Sequence, residues 1–152
     1  MDNWRLPWDG GCRCGAVRVR VTGPPLLASA CHCTGCQKMS ASAFSLTLTL
    51  PAEGFQLVKG EPVLGGLSHD MHYFCPGCMS WMFTRPPGLG EMVNLRATML
   101  DDPSWFQPYV ELFTSEKLPW AQTGARHSYE GVPPFAEFER LAQLFAERGA
   151  RP

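Results

Sequence analysis

Seven cysteines carry most of the chemistry this chain could perform. They fall in three tight groups: Cys12-Arg13-Cys14, Cys31-His32-Cys33-Thr34-Gly35-Cys36 and Cys75-Pro76-Gly77-Cys78. Zinc binds thiolates at about 2.3 Å in a tetrahedron, so sulfurs that share one ion must lie within about 4 Å of each other. Two cysteines separated by two residues reach that spacing from a tight turn, for which Pro76-Gly77 is suitable material. Two separated by one residue converge where the backbone is extended or kinked. Seven ligands divide naturally as four plus three. Four thiolates fill the tetrahedron and make a structural site, whereas three leave a position for water or substrate, the catalytic arrangement. Cys31, Cys33 and Cys36 supply three thiolates within six residues and can form an open site unaided. Cys12, Cys14, Cys75 and Cys78 would then clamp two distant segments. Spacing also permits other partitions, such as Cys12, Cys14, Cys31 and Cys33 around one ion, or a site closed by His32, His69, His72 or His127.

Composition says where such chemistry would operate. The opening Met1-Asp2-Asn3-Trp4-Arg5-Leu6 lacks the apolar core of a signal peptide. No stretch approaches the roughly 20 apolar residues of a membrane span. A cytosolic location is therefore expected, with no membrane partner. Disulfides are rarely maintained there, and an odd number of cysteines would strand one thiol, so metal ligation is the better use for them. Formal net charge is −1. Without a basic excess the chain is not expected to bind nucleic acid.

The elements that must position the cysteines are mainly strands. The chain has 152 residues, 45% hydrophobic and 18% charged, a balance that suits one self-supporting domain over 1–152 rather than disorder. Ala16-Val17-Arg18-Val19-Arg20-Val21 alternates apolar and polar residues, and Ala43 to Leu50 does so more strongly. Phe55 to Val58, Met71 to Phe74, Trp81 to Thr84, Val93 to Ala97 and Val110 to Phe113 are shorter strand candidates. Prolines and glycines at Pro24-Pro25, Pro51, Pro62, Gly65-Gly66 and Pro86-Pro87-Gly88 mark turns. One long helix is predicted from about Pro133 to Arg148, with Phe135, Phe138, Leu141 and Phe145 on one face. That face packs on the domain's own sheets or serves a partner, and a homodimer is one arrangement it allows.

The cysteine groups in their context resemble the glutathione-dependent formaldehyde-activating enzyme family. The matching residues are Gly11-Cys12-x-Cys14-Gly15, Cys31-His32-Cys33-x-x-Cys36-x-Lys38, Phe74-Cys75-x-x-Cys78, Met99-Leu100-Asp101-Asp102 and Lys117-x-Pro119-Trp120, spanning roughly residues 10 to 130. The resemblance implies an Mss4-like fold, with twisted β-sheets around a structural zinc. It implies two zinc ions per chain: one held by Cys12, Cys14, Cys75 and Cys78, the other, open and labile, by the catalytic Cys31, Cys33 and Cys36. It further implies a carbon–sulfur lyase that joins glutathione, as co-substrate, reversibly to formaldehyde or another small aldehyde. Two positions depart from the family pattern. Met79 follows the second CxxC where many members have glycine, and Glu111 stands where a histidine is often seen.

Glutathione carries two carboxylates, so a matching pocket should offer cations. Lys38 is the leading candidate, with Arg85, Arg96, Lys117 and Arg126 also near motifs; each could equally be a solvated surface charge. Trp81, Trp105, Phe106 and Trp120 could wall a pocket or belong to the core. His32 could shuttle a proton or simply pack. The competing function is a non-catalytic zinc-containing scaffold for a partner, because a fold does not dictate its function.

Overall fold

The strongest alternating run becomes the centre of the molecule. In the computed structural model, which describes residues 3–152, β4 (Ser45–Pro51) lies between β3 (Leu27–Cys31) and β9 (Met92–Arg96) and is antiparallel to both. Met1 and Asp2, part of the opening segment read for a signal, lie outside the described residues. The sheet extends beyond β3 to β10 (Val110–Leu112) and β11 (His127–Ser128), and beyond β9 to β8 (Trp81–Thr84), β7 (His72–Phe74) and β6 (Val63–Leu64). β10 runs parallel to β3 and to β11, while the other pairs are antiparallel. A smaller antiparallel sheet holds β1 (Trp8–Gly11), β2 (Arg18–Val21) and β5 (Phe55–Lys59), in that order. The fold is thus mostly β with two sheets, closed by a C-terminal helix.

Residues directly opposite in an antiparallel pair leave the sheet on the same side, so register sorts the two faces. Leu48 pairs with Leu95 and Leu50 with Val93, all fully buried, and these make the core face. Cys31 pairs with Ser45, Ser29 with Thr47, and Thr47 with Arg96, so the other face is polar and carries the first cysteine of the trio. One hydrophobic cluster spans both sheets, including Val19 and Val21 of β2 beside Leu48, Phe83 and Leu95. A close approach joins the smaller sheet to the loop after β9. Gly10 bridges Leu100, and a Cβ at Gly10 would meet the Met99 carbonyl oxygen at 2.3 Å, so no larger residue fits. Arg18 adds a two-point ion pair to Asp101, which gives the Met99-Leu100-Asp101-Asp102 motif a structural task. No helix among the described residues is long and apolar enough to cross a membrane.

Periodicity missed the elements that lack it. β3 is a run of small residues, Leu-Ala-Ser-Ala-Cys, buried on both faces, so neither face is marked by alternation. The short helix α1 (Thr34–Ser40) buries none of its residues and so has no apolar stripe. The long helix, α2 (Phe135–Arg148), does form, but its predicted apolar face is only half used. Leu141 and Phe145 are fully buried, and the Phe145 ring centroid lies 5.5 Å from Trp4 and 5.7 Å from Tyr109. Phe135 is 86% exposed and Phe138 37%, because the first turn projects past the packed face. Replacing Phe145 by alanine should therefore cost about 3–5 kcal/mol by the burial lost and the cavity left. Phe135→Ala should change stability by less than about 0.5 kcal/mol. Urea unfolding of the two variants would check the contrast.

Candidate metal centres and the cleft between strands

The two cysteine pairs that are farthest apart in sequence meet at a junction of the two sheets. Cys12 and Cys14 sit in the turn from β1 to β2, and Cys75 and Cys78 in the turn from β7 to β8. Their four sulfurs all lie within 4.8 Å of one another. Cys12 Sγ is 3.6 Å from Cys14 Sγ, and Cys14 Sγ is 3.7 Å from Cys75 Sγ. Four sulfurs bound tetrahedrally at about 2.3 Å would sit about 3.8 Å apart, so the donor set and its spacing fit zinc. Backbone amides of Val17 and Gly77 donate to the Cys12 and Cys75 sulfurs at 3.3 and 3.4 Å. Ser80 places its hydroxyl 3.2 Å from Cys78 Sγ and holds that thiol down near about 5.

Met79 completes the same turn with φ +58°, in the left-handed region, and its amide donates to the Cys75 carbonyl at 2.9 Å. Glycine takes that conformation without a Cβ penalty, which is the physical reason glycine suits the position. Here methionine adopts it with its side chain exposed. The turn is therefore kept at some cost in strain rather than rebuilt.

Cys31, Cys33 and Cys36 form the second group, with sulfurs again within 4.8 Å of one another. Cys31 ends β3, Cys33 caps α1, and Cys36 lies in the first turn of that helix. The Cys36 amide donates to Cys33 Sγ at 3.3 Å. Without a metal the three share protons unequally. Cys31 donates toward Cys36, and with help from Ser45, Cys33 and the Arg96 charge this brings Cys36 down to about 6 against the opposing effect of burial. Cys31 is pushed up by Cys36 and by burial, and Cys33 by burial. No histidine, aspartate or glutamate among the described residues joins either group. The trio therefore fits a metal with one position left for a non-protein ligand.

His32 directly follows the last residue of β3, is fully buried, and places Nε2 3.1 Å from Glu111 Oε2. Glu111 also accepts from Thr123 at 2.5 Å and from Ser128 at 2.8 Å. Burial opposes its ionisation, but the hydrogen bonds from Thr123, His32 and Ser128 outweigh burial and hold the carboxyl below its ordinary range. Glu111 thus anchors the cysteine segment. The same segment is held by His32 N–H on Leu112 O, 2.9 Å, and by Gln37, whose side-chain amide donates to His32 O at 2.7 Å and Glu116 O at 3.0 Å. Sequence reasoning had no signal for this network, since Thr123 and Ser128 carry no motif.

Beside the trio, a cleft of about 340 Å³ is lined by Ser45, Trp81 and Arg96 with the apolar Met39, Phe44 and Leu46 among others. Arg96, one of the candidate cations, is only 8% exposed and stacks 4.2 Å over the Trp81 ring. Burial lowers it to about 10, partly offset by Cys36 and Cys31, so it remains a cation at neutral pH. The other candidates lie elsewhere. Lys38 is exposed on α1 and lines a shallow hollow with Gln37 and Trp120. Arg85 stacks on Phe55 and Phe83, and Lys117 and Arg126 stand outside the cleft. Trp105 packs on Trp8 in the core with ring centroids 4.8 Å apart, and Phe106 beside it.

Two outcomes are expected. Met79→Gly should raise stability by up to about 1 kcal/mol in chemical denaturation, because the strain goes and no buried contact is lost. Glu111 has a depressed folded pKa, so its stabilisation is present above the ordinary value of 4.5 and is lost as pH falls through the lower folded value. Glu111→Gln should therefore be less stable than the parent at neutral pH, with the gap closing in acid, as thermal midpoints from pH 7 to pH 3 would record.

Comparison with known proteins places the chain among relatives. A protein of Halomonas elongata named "Putative glutathione-dependent formaldehyde-activating enzyme" is 27% identical over 154 aligned residues, covering 93% of this chain and 98% of that protein. A crystal structure of a Rhodobacter sphaeroides protein aligns with TM-score 0.49 and 22% identity, covering 61% of this chain and 87% of that one. The family model described as glutathione-dependent formaldehyde-activating enzyme matches residues 7–116, a span that holds both cysteine groups and most of both sheets. On that match the chain belongs to the glutathione-dependent formaldehyde-activating enzyme family.

Proposed function

We propose that this protein is a zinc-dependent carbon–sulfur lyase-type enzyme that joins glutathione, or a similar thiol, reversibly to formaldehyde or another small aldehyde. Cys12, Cys14, Cys75 and Cys78 would hold a structural zinc, and Cys31, Cys33 and Cys36 a second one. The observation that carries the reading is the three-sulfur group with no fourth protein donor among the described residues, set beside a cleft. A closed four-sulfur site has no room for a ligand, whereas a three-sulfur site does. Zinc at the trio would supply a strong preference for thiolate over thiol in whatever sulfur ligand meets it.

The chain's own residues do the rest. The β3–α1 corner holds the three sulfurs in one place, and the Glu111–His32 anchor prevents that corner from shifting. The apolar side of the cleft, Met39, Phe44 and Leu46, excludes water from the organic part of a ligand. Holding a thiol and an aldehyde side by side replaces a bimolecular encounter, which is a large share of the rate gain available to such a reaction. Lys38, exposed on α1 at the neighbouring hollow, would meet an outlying carboxylate of glutathione. Reduced cysteines throughout suit a cytosolic setting.

A glutathione titration of the cobalt-substituted protein tests this reading through its visible absorption. A saturable change in the cobalt band that disappears in Cys33→Ser is expected. Two metals bound with no change on adding thiol would sink the enzyme reading and favour a zinc-stabilised scaffold.

A further inference from the structure

Buried hydrogen-bonding groups without partners are uncommon, and each demands a reason. Among the described residues five side-chain nitrogen or oxygen atoms are buried and unpaired. Three of them, Arg96 Nε, Trp81 Nε1 and Ser45 Oγ, belong to residues that line the same cleft. Arg96 Nε and Trp81 Nε1 can only donate, and the serine hydroxyl can do so as well. Their side chains are already fixed: Arg96 donates through Nη2 to the Asn94 carbonyl at 3.2 Å and lies on the Trp81 ring, while Ser45 is held opposite Cys31 by the β3–β4 register. The site is therefore a fixed set of donors without an acceptor, next to a buried positive charge.

We propose that this cleft is a receptor for an anionic oxygen of the ligand whose sulfur meets the trio, with Arg96, Trp81 and Ser45 as its donors. The proposal deepens the lyase reading and rests on it. That oxygen has two sources of the same chemistry: a carboxylate carried by the thiol, or the alkoxide that forms from the aldehyde. In the second case the sulfur's electron pair forms the new C–S bond while the carbonyl π bond breaks and its pair moves to oxygen. The alkoxide then takes a proton from water, and the hydroxide left is neutralised by the proton the thiol released, so thiol plus aldehyde gives the S-hydroxyalkyl adduct. Negative charge leaves the sulfur beside the cysteines and arrives on an oxygen beside Arg96. Donors already in place for that shift stabilise the product of charge movement without reorganising.

The test uses the cobalt-loaded protein and its Ser45→Ala, Trp81→Phe and Arg96→Lys variants. Dissociation constants for 3-mercaptopropionate and 2-mercaptoethanol are read from the visible band. Single-turnover adduct formation with ¹³C-formaldehyde is read by NMR. Ser45→Ala removes one hydroxyl from the cleft wall and no apolar packing, so it should stay folded, which its thermal midpoint checks before binding is read. If the parent binds the carboxylate thiol about tenfold or more tightly and the variants lose that preference, the thiol's carboxylate is the occupant. If the two thiols bind alike in every variant but the single-turnover rate falls about tenfold per donor removed, the occupant is the alkoxide. Folded variants that change neither the preference nor the rate would overturn the proposal while leaving the open-site reading intact. A parent whose cobalt band responds to no thiol would overturn both.

Discussion

The structure depends first on four sulfurs that two separate sheets bring to one point. Cys12 and Cys14 belong to the smaller sheet and Cys75 and Cys78 to the larger, with the Cys14 and Cys75 sulfurs 3.7 Å apart across 61 residues of chain. Four thiolates so close repel one another strongly unless a cation lies between them. The junction is thus stable either with most of its protons retained or as four thiolates around a metal. In the second state, binding energy would add directly to the energy of folding. The Gly10–Leu100 bridge and the Arg18–Asp101 pair reinforce the same junction, so the relation of the sheets does not rest on the cysteines alone.

Once the sheets are joined, the register of β4 decides what each face can do. Its leucines go to the core, and its serine and threonines line a polar face shared with Cys31 and Arg96. A guanidinium held there loses hydration, and the surrounding protein restores only part of it: one bond to the Asn94 carbonyl and the face of Trp81. Nearby thiolates offset the remaining cost, so the charge of Arg96 and that of the trio sustain each other.

The opposite face of the same corner carries the Glu111–His32 pair. A buried carboxylate is tolerable because Thr123, Ser128 and His32 satisfy its oxygens together. Its effect is mechanical, tying β10 to the segment that turns from β3 into α1. The cysteines of the trio are thereby placed by packed strands on one side and by a polar network on the other.

The sequence by itself determined the three cysteine groups, the strands of clear alternation and the terminal helix, because these follow from spacing and periodicity over a few residues. It also carried the family resemblance, which the match over residues 7–116 bears out. Spacing could not choose among partitions of the seven sulfurs, since that choice requires turns more than 60 residues apart to meet, as Cys14 and Cys75 do. Nor could it separate Arg96 from Lys38, Arg85, Lys117 and Arg126, all of them cations near motifs. The pairing of β4 with β9 puts Arg96, buried, on the face that carries the trio's first cysteine, whereas Lys38 stays exposed on α1. β3 and α1, which hold the open cysteines, were hidden because one is buried on both faces and the other on neither. Local chemistry is written in neighbouring residues, whereas burial and convergence are properties of register between distant strands, and only the tertiary structure decided them.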